Sequence, residues 1–393
     1  MSANLGEHLR DTRKCRGLSQ RELSERSGVS LSLIRKLEQG ERNDTRLETA
    51  RQLASALKVP TTRLITEHAE TPATTDTVSR WTPVHAALAA TPDLNRTAPE
   101  APTYDGVRDA LQAATPLFST DRFDTLRTVL PPLLRDTEAL IETDPRARPL
   151  RARLLELTGW LMTQTRQFDA AEMALERALD DATDHAQTAA TINTQCWLLL
   201  RRGKLAQARE LAAHWADEVE PRMSRATPSE LSTWGWLLLR LSAAAIRDNR
   251  PGEAEDALRL AHSAAVALGR ECIPEGDFLR AFGPVTVALK RTENAMVAGQ
   301  SEKVLTLASR IPANSLKPTS NNRNRHLLDV ANAHTQLRHY VEAIDTFQKI
   351  RAGSPEWLPN QQYAREVLGH IMGKRRTLTP EMRELADFVQ LRT

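Results

Sequence analysis

Apolar residues in the first part of the chain recur at three- and four-residue steps, and each run is short. Leu5 and Leu9 share one face; Leu23 stands between Arg21, Glu25 and Arg26; Leu33, Ile34 and Leu37 form a stripe; Leu47, Ala50, Leu53, Ala54 and Leu57 form a longer one; Leu64 and Ile65 close the series. This periodicity predicts five short helices within residues 1–68. The polar residues between the runs carry start and stop signals. Ser19 with Glu22, and Thr45 with Glu48, have the spacing of capping boxes. Gly28 suits the left-handed end of a helix, Val29 the plug of a turn, and Ser30 the cap of the next helix. The second and third helices thus predict a helix-turn-helix, whose third helix buries Leu33, Ile34 and Leu37 and turns Leu31, Ser32, Arg35 and Lys36 outward.

The pattern changes at residues 69–103, where Pro72, Pro83, Pro92, Pro99 and Pro102 stand among many Thr and Ala. That composition predicts an extended linker with at most one short helix near Val84–Ala90, anchored by Trp81. From Tyr104 to the end, at 393, helical periodicity returns without strand-like alternation, and the whole chain reads as all-α. A degenerate pattern repeats there: apolar, small, bulky, small, clearest in Phe168–Ala178. Its small position falls at 171, 208, 254, 304 and 343, at spacings of 37, 46, 50 and 39. Small residues at such positions let paired helices approach closely, so residues 104–393 are expected to form a solenoid of stacked helix hairpins.

Charge sharpens the division. Net charge is only +3, but residues 1–68 hold 13 Lys and Arg against 9 Asp and Glu, leaving the remainder slightly acidic. A local basic excess on a helix-turn-helix suits phosphate contact. Cys15, Cys196 and Cys272 lie too far apart for a zinc or disulfide framework. Met1–Glu7 lacks the layout of a signal peptide and no run is apolar enough to span a membrane, so a cytoplasmic location is expected. There is no His-Glu-x-x-His, Gly-rich phosphate loop, CxxC or Gly-x-Ser-x-Gly. Neither an enzyme, a cofactor nor a metal site is expected.

Leu18-Ser19-Gln20, Ser27-Gly28-Val29-Ser30 and Ile34-x-x-Leu37-Glu38-x-Gly40 together resemble the Cro/C1-type (XRE) helix-turn-helix family over about residues 5–68. The resemblance implies binding to double-stranded DNA. By it, Gln20 clamps a phosphate at the start of its helix, Leu31, Ser32, Arg35 and Lys36 face the major groove, and Ser30 at the helix cap is a further DNA contact. Arg42 and Asn43 follow as phosphate contacts, and Arg13 and Glu38 form a buried ion pair. Leu31 and Ser32 stand where many family members carry Gln or Asn, so base preference stays open.

The repeats resemble tetratricopeptide repeats, although spacings of 37 and more depart from their ~34-residue period. The resemblance puts the first helix of each pair on a concave surface and gives it Arg153, Glu156, Trp160, Asn193, Trp197, Trp236, Arg325 and Asn332 as candidate effector contacts. Indole rings with Asn and Arg suit a peptide or another small molecule. The combined architecture is similar to the peptide-sensing regulators of Gram-positive bacteria, and implies a homodimeric transcriptional regulator with an effector-responsive repeat half. The alternative is a DNA-tethered adaptor or antitoxin-like protein whose repeats hold a protein partner.

Overall fold

The computed structural model describes residues 5–42, 45–64, 75–90, 101–273, 281–312, 320–375 and 378–391. Among them are twenty α-helices, and the only strand-like feature is one isolated bridge between Cys272 and Phe282. The chain is all-α.

The first five helices make a compact head: α1 (Leu5–Cys15), α2 (Gln20–Ser27), α3 (Leu31–Glu38), α4 (Leu47–Leu57) and α5 (Thr61–Leu64). Its core holds Leu9, Leu18, Leu23, Val29, Ile34, Leu37, Leu53, Ala54, Leu57, Val59 and Leu64 and is separate from the apolar clusters of the rest of the molecule. The Ser19–Glu22 capping box forms, Gly28 ends α2 at φ 71°, and the Ser30 hydroxyl accepts from the Leu33 N–H at 3.3 Å. The second box does not form: α4 begins at Leu47 with Arg46 at its cap, so Thr45 lies one residue too early. Gly6 lets α1 press onto α3, since a Cβ there would stand 2.0 Å from the Leu37 carbonyl oxygen.

Within the Pro- and Thr-rich stretch, α6 (Thr75–Ala89) is a longer element than its composition suggests. Trp81, Val84, Ala87 and Leu88 are buried against the hairpins that follow, and Arg177 donates to the Leu88 carbonyl at 2.7 Å. The expectation of a mostly extended linker is therefore corrected for residues 75–89. Apolar positions at steps of three and four outweigh Pro83 there. Residues 65–74 and 91–100 lie outside the described residues.

Seven helix pairs follow: α7 (Tyr104–Ser119) with α8 (Phe123–Thr143), α9 (Arg148–Gln164) with α10 (Phe168–Asp180), and α11 (His185–Arg201) with α12 (Leu205–Glu218). Then come α13 (Pro228–Arg247) with α14 (Pro251–Leu268), α15 (Pro284–Val297) with α16 (Ser301–Ala308), α17 (Ser320–Gln336) with α18 (Tyr340–Gly353), and α19 (Gln362–Lys374) with α20 (Pro380–Phe388). The first helices from α9 to α19 pack in succession, so the pairs stack as a continuous row.

One turn joins the helices of the first six pairs. Asp121, Arg166, Gly203, Asn249, Gly299 and Arg338 each take a left-handed conformation, with φ between 57° and 76°. In every case the next residue's N–H donates to the carbonyl five positions back, at 2.8–3.0 Å, the bond of a Schellman cap. The second helix starts two residues after the left-handed one, and the repeated small or apolar position falls five residues after it. The repeat pattern in the sequence is thus the image of one recurring turn. The widest spacing arises from an insertion after α14, where the Cys272–Phe282 bridge turns the Phe282 ring into the stack.

The row curves until its ends meet. The Asp124 N–H donates to the Glu356 carboxylate at 2.8 Å, and the Asn324 amide approaches Asp121 at 3.5 Å. The hairpins therefore enclose a central channel. Gly235 is where the insertion locks into this ring, because a Cβ there would lie 2.0 Å from the Phe282 ring. Replacing Gly235 with Ala is expected to cost about 1–3 kcal/mol by overpacking, lowering the melting temperature with helical circular dichroism kept at 20 °C. An unchanged melting temperature would show that the Phe282 ring is free to move.

Candidate nucleic-acid interface and repeat channel

The exposed face of α3 is anchored by one buried ion pair. Arg13 on α1 grips Glu38 at the end of α3 with two bonds, Nε–Oε1 at 2.6 Å and Nη2–Oε2 at 2.7 Å, and its Nη1 donates to the Leu18 carbonyl at 2.7 Å. The hydrogen bond to Glu38 raises the Arg13 pKa. Burial pushes the Glu38 carboxyl up, but hydrogen bonds from Arg13 and Gln20 outweigh it and hold the group below its ordinary value. Gln20 is the third member: its Nε2 donates to Glu38 Oε2 at 2.7 Å. The side chain expected to clamp a phosphate is thus oriented from within, at the start of α2 where main-chain N–H groups are open to an anion.

Around this anchor α3 presents the expected face. Ser32, Arg35 and Lys36 are exposed and Leu31 is half-buried at the helix start. Ser30 is exposed with its hydroxyl engaged in capping. Arg42 is exposed beyond the end of α3, and Asn43 lies outside the described residues. Ser24 and Ser27 stiffen the turn between α2 and α3: the Ser24 hydroxyl donates to the Val29 carbonyl at 2.7 Å, and the Val29 N–H donates to Ser27 at 3.2 Å. Residues 9–64 match the family described as Helix-turn-helix. This segment is a DNA-binding helix-turn-helix domain of the Cro/C1 type. No curated protein and no solved structure compared with the chain gave a match. Among the described residues, no helix is long and apolar enough to cross a membrane.

The helix-turn-helix domain is docked on the repeats by residues of α4, α5 and the link between them. Asp248, fully buried in the turn after α13, accepts from the Thr62 N–H at 2.9 Å, and its own carbonyl accepts from the Thr61 N–H at 3.2 Å. The Thr61 hydroxyl donates to the Arg247 carbonyl at 2.9 Å, Asn249 Nδ2 to the Val59 carbonyl at 3.1 Å, and Arg51 Nε to the Ile246 carbonyl at 3.2 Å. Two sets of main-chain groups at helix ends thus satisfy each other through polar contacts, without a shared apolar core.

Beneath the docked domain runs the channel, as an outer cleft of about 1140 Å³ and an inner chamber of about 300 Å³. Both are lined by Leu47 and Glu48 of the DNA-binding domain and by Arg247, Arg325, Tyr363 and Glu366 of the repeats. The structure brings some of the expected effector residues together here. Trp197, Trp236 and Arg325 line the inner chamber, and Arg325 and Asn332 the outer cleft. Asn193 is buried and accepts from Arg240 Nε at 3.0 Å, holding a guanidinium that stacks over both Trp197 and Trp236. Trp160 lies 6.2 Å from the Trp197 ring, continuing the aromatic row without lining the chamber. Arg153 and Glu156 pair with each other at 2.7 Å on α9 and line neither cavity.

The sequence reading passed over Gln164, Arg201 and Arg240, which all line the chamber. Each follows an expected Trp by four residues, 160 to 164, 197 to 201 and 236 to 240, one helical turn further along the concave helix. That Trp-x-x-x-polar step was the available signal.

Two outcomes follow from this geometry. Replacing Arg13 with Ala should strand the Glu38 carboxylate and cost about 3–5 kcal/mol. Because Glu38 has a lowered pKa, its contribution is present above the ordinary carboxylate range and disappears as pH falls through the folded-state value, so the destabilisation in chemical denaturation should shrink in acid. Replacing Asp248 with Ala should release the DNA-binding domain while leaving its own core folded, seen as faster proteolysis after residue 64 and a larger radius of gyration in solution scattering. An unchanged radius would mean that the remaining contacts suffice to hold it.

Proposed function

We propose that the chain is a transcriptional regulator whose helix-turn-helix domain reads DNA and whose repeats sense a peptide or small-molecule effector in the central channel. The observation that carries this reading is the shared wall. Leu47 and Glu48 belong to the DNA-binding domain, yet they line both cavities of the repeat channel. A ligand in the channel therefore touches both halves, and ligand affinity and domain placement are linked reciprocally.

Ser32, Arg35 and Lys36 face the major groove, with Leu31 near a thymine methyl and Arg35 or Lys36 on guanine. Gln20, Ser30, Arg42 and Asn43 flank them along the backbone. The protein acts in the cytoplasm as a homodimer, placing two α3 helices on half-sites about 34 Å apart. Effector binding changes the angle at which each domain is held, and so the half-site spacing the dimer accepts.

Operators selected from random duplexes by the full-length protein provide the test. Replacing Arg35 and Lys36 together with Ala should weaken binding to a selected operator about 10- to 100-fold, with the far-ultraviolet circular dichroism unchanged. Unchanged affinity would place the reading face elsewhere. A protein partner co-purifying in stoichiometric amount, without any ligand effect on operator affinity, would favour an adaptor instead.

A further inference from the structure

The inner chamber holds more positive charge than its own carboxylates answer: eight Arg or Lys side chains line it against three Glu. Several of these cations have partners. Arg202 reaches Asp169 and Glu172, each at 2.7 Å, while Arg247 and Lys290 share Glu293 at 2.6 and 2.9 Å. Arg325 lies 4.3 Å over the Tyr363 ring and 3.6 Å from Asp329.

Arg201 differs. Its Nε and Nη2 are shielded from solvent and meet no hydrogen-bond acceptor. Burial, reinforced by the like charges of Arg166, Arg325 and Arg247, pushes its guanidinium down to about 9. Gln164, from the preceding hairpin, lines the same chamber, is 1% exposed, and has an Nε2 that is likewise without an acceptor. Two neighbouring first helices thus bring buried, unanswered donors to the wall of one space of about 300 Å³. Leaving such donors without acceptors is costly, and a guanidinium held in a protein cleft suits the planar oxygens of a carboxylate or a phosphoryl group.

We propose that the inner chamber is an anion site, with Arg201 as its charged anchor and Gln164 as a second donor, and that the effector presents a carboxylate or phosphoryl group there. The binding chemistry stands on the chamber alone; only its consequence for DNA rests on the sensing reading above.

The test uses the full-length protein and two variants, Arg201→Met and Gln164→Leu. The probes are inorganic phosphate, pyrophosphate, and tetra-alanine with a free or an amidated C-terminus. In low salt and without probe, Arg201→Met should melt higher than the parent, because it removes a crowded cation and fills its place with an apolar chain. At least one probe should bind the parent saturably by calorimetry and raise its melting temperature. Arg201→Met should weaken that binding about 30-fold or more, and Gln164→Leu should weaken it less. Protection by free but not amidated tetra-alanine identifies a carboxylate ligand; protection by the phosphates alone identifies a phosphoryl ligand. The assignment is overturned if no probe binds, if Arg201→Met binds as tightly as the parent, or if Arg201→Met melts lower or fails to fold. Operator affinity measured on the same samples separates the two proposals. Probe binding without any change in operator affinity upholds the anion site and removes the sensing reading.

Discussion

A guanidinium taken out of water costs several kcal/mol unless something answers its charge, and that cost is repeated around the channel of this protein. The ring of hairpins answers several of these cations, each with a different device, and leaves Arg201 without an acceptor. Arg240 lies across two indole faces, Arg247 and Lys290 divide one carboxylate, and Arg325 combines an aromatic face with a buried Asp. These pairings cross from hairpin to hairpin. Arg247 of α13 holds Glu293 of α15, and Asn193 of α11 holds Arg240 of α13. The concave surface is therefore stitched by groups that give it its charge, and changing any of these paired groups also changes how neighbouring pairs stack.

The DNA-binding domain obeys the opposite economy. Its core is closed around eleven buried apolar residues and owes nothing to the repeats. Its attachment consists of main-chain and polar side-chain hydrogen bonds, which water replaces at a net cost of roughly 1 kcal/mol each. An apolar seam would have fixed the two halves as one body. A polar seam holds an orientation and still lets it change, and the same residues that form the seam's edge look into the channel.

The head was legible because its signals are local. A capping box, a left-handed glycine and a stripe of three apolar residues lie within twenty positions, and each specifies its own backbone. Where local spacing misled, at Thr45 and Glu48, a similar box pattern sits beside a helix that starts at Leu47. The repeats were legible in kind but not in boundary, because only two of the six left-handed turn residues are Gly. Asp121, Arg166, Asn249 and Arg338 accept that conformation without announcing it. α6 was hidden by proline and threonine composition, although Trp81, Val84 and Leu88 carry its periodicity. The closed ring could not be read at all, since the Asp124–Glu356 contact joins residues 232 positions apart. Channel residues from hairpins far apart in the sequence share one chamber only through that closure.

The Asp248 dock also orders events in time. Thr62 and its acceptor are separated by 186 residues, so the domain is complete long before its seat has been made. At translation rates of about 5–20 residues per second, that interval is on the order of 10–40 s. During it the nascent chain carries a folded DNA-binding domain that no hairpin yet restrains. Each newly made molecule thus passes once through an untethered state, and the mature arrangement is reached from it rather than the reverse.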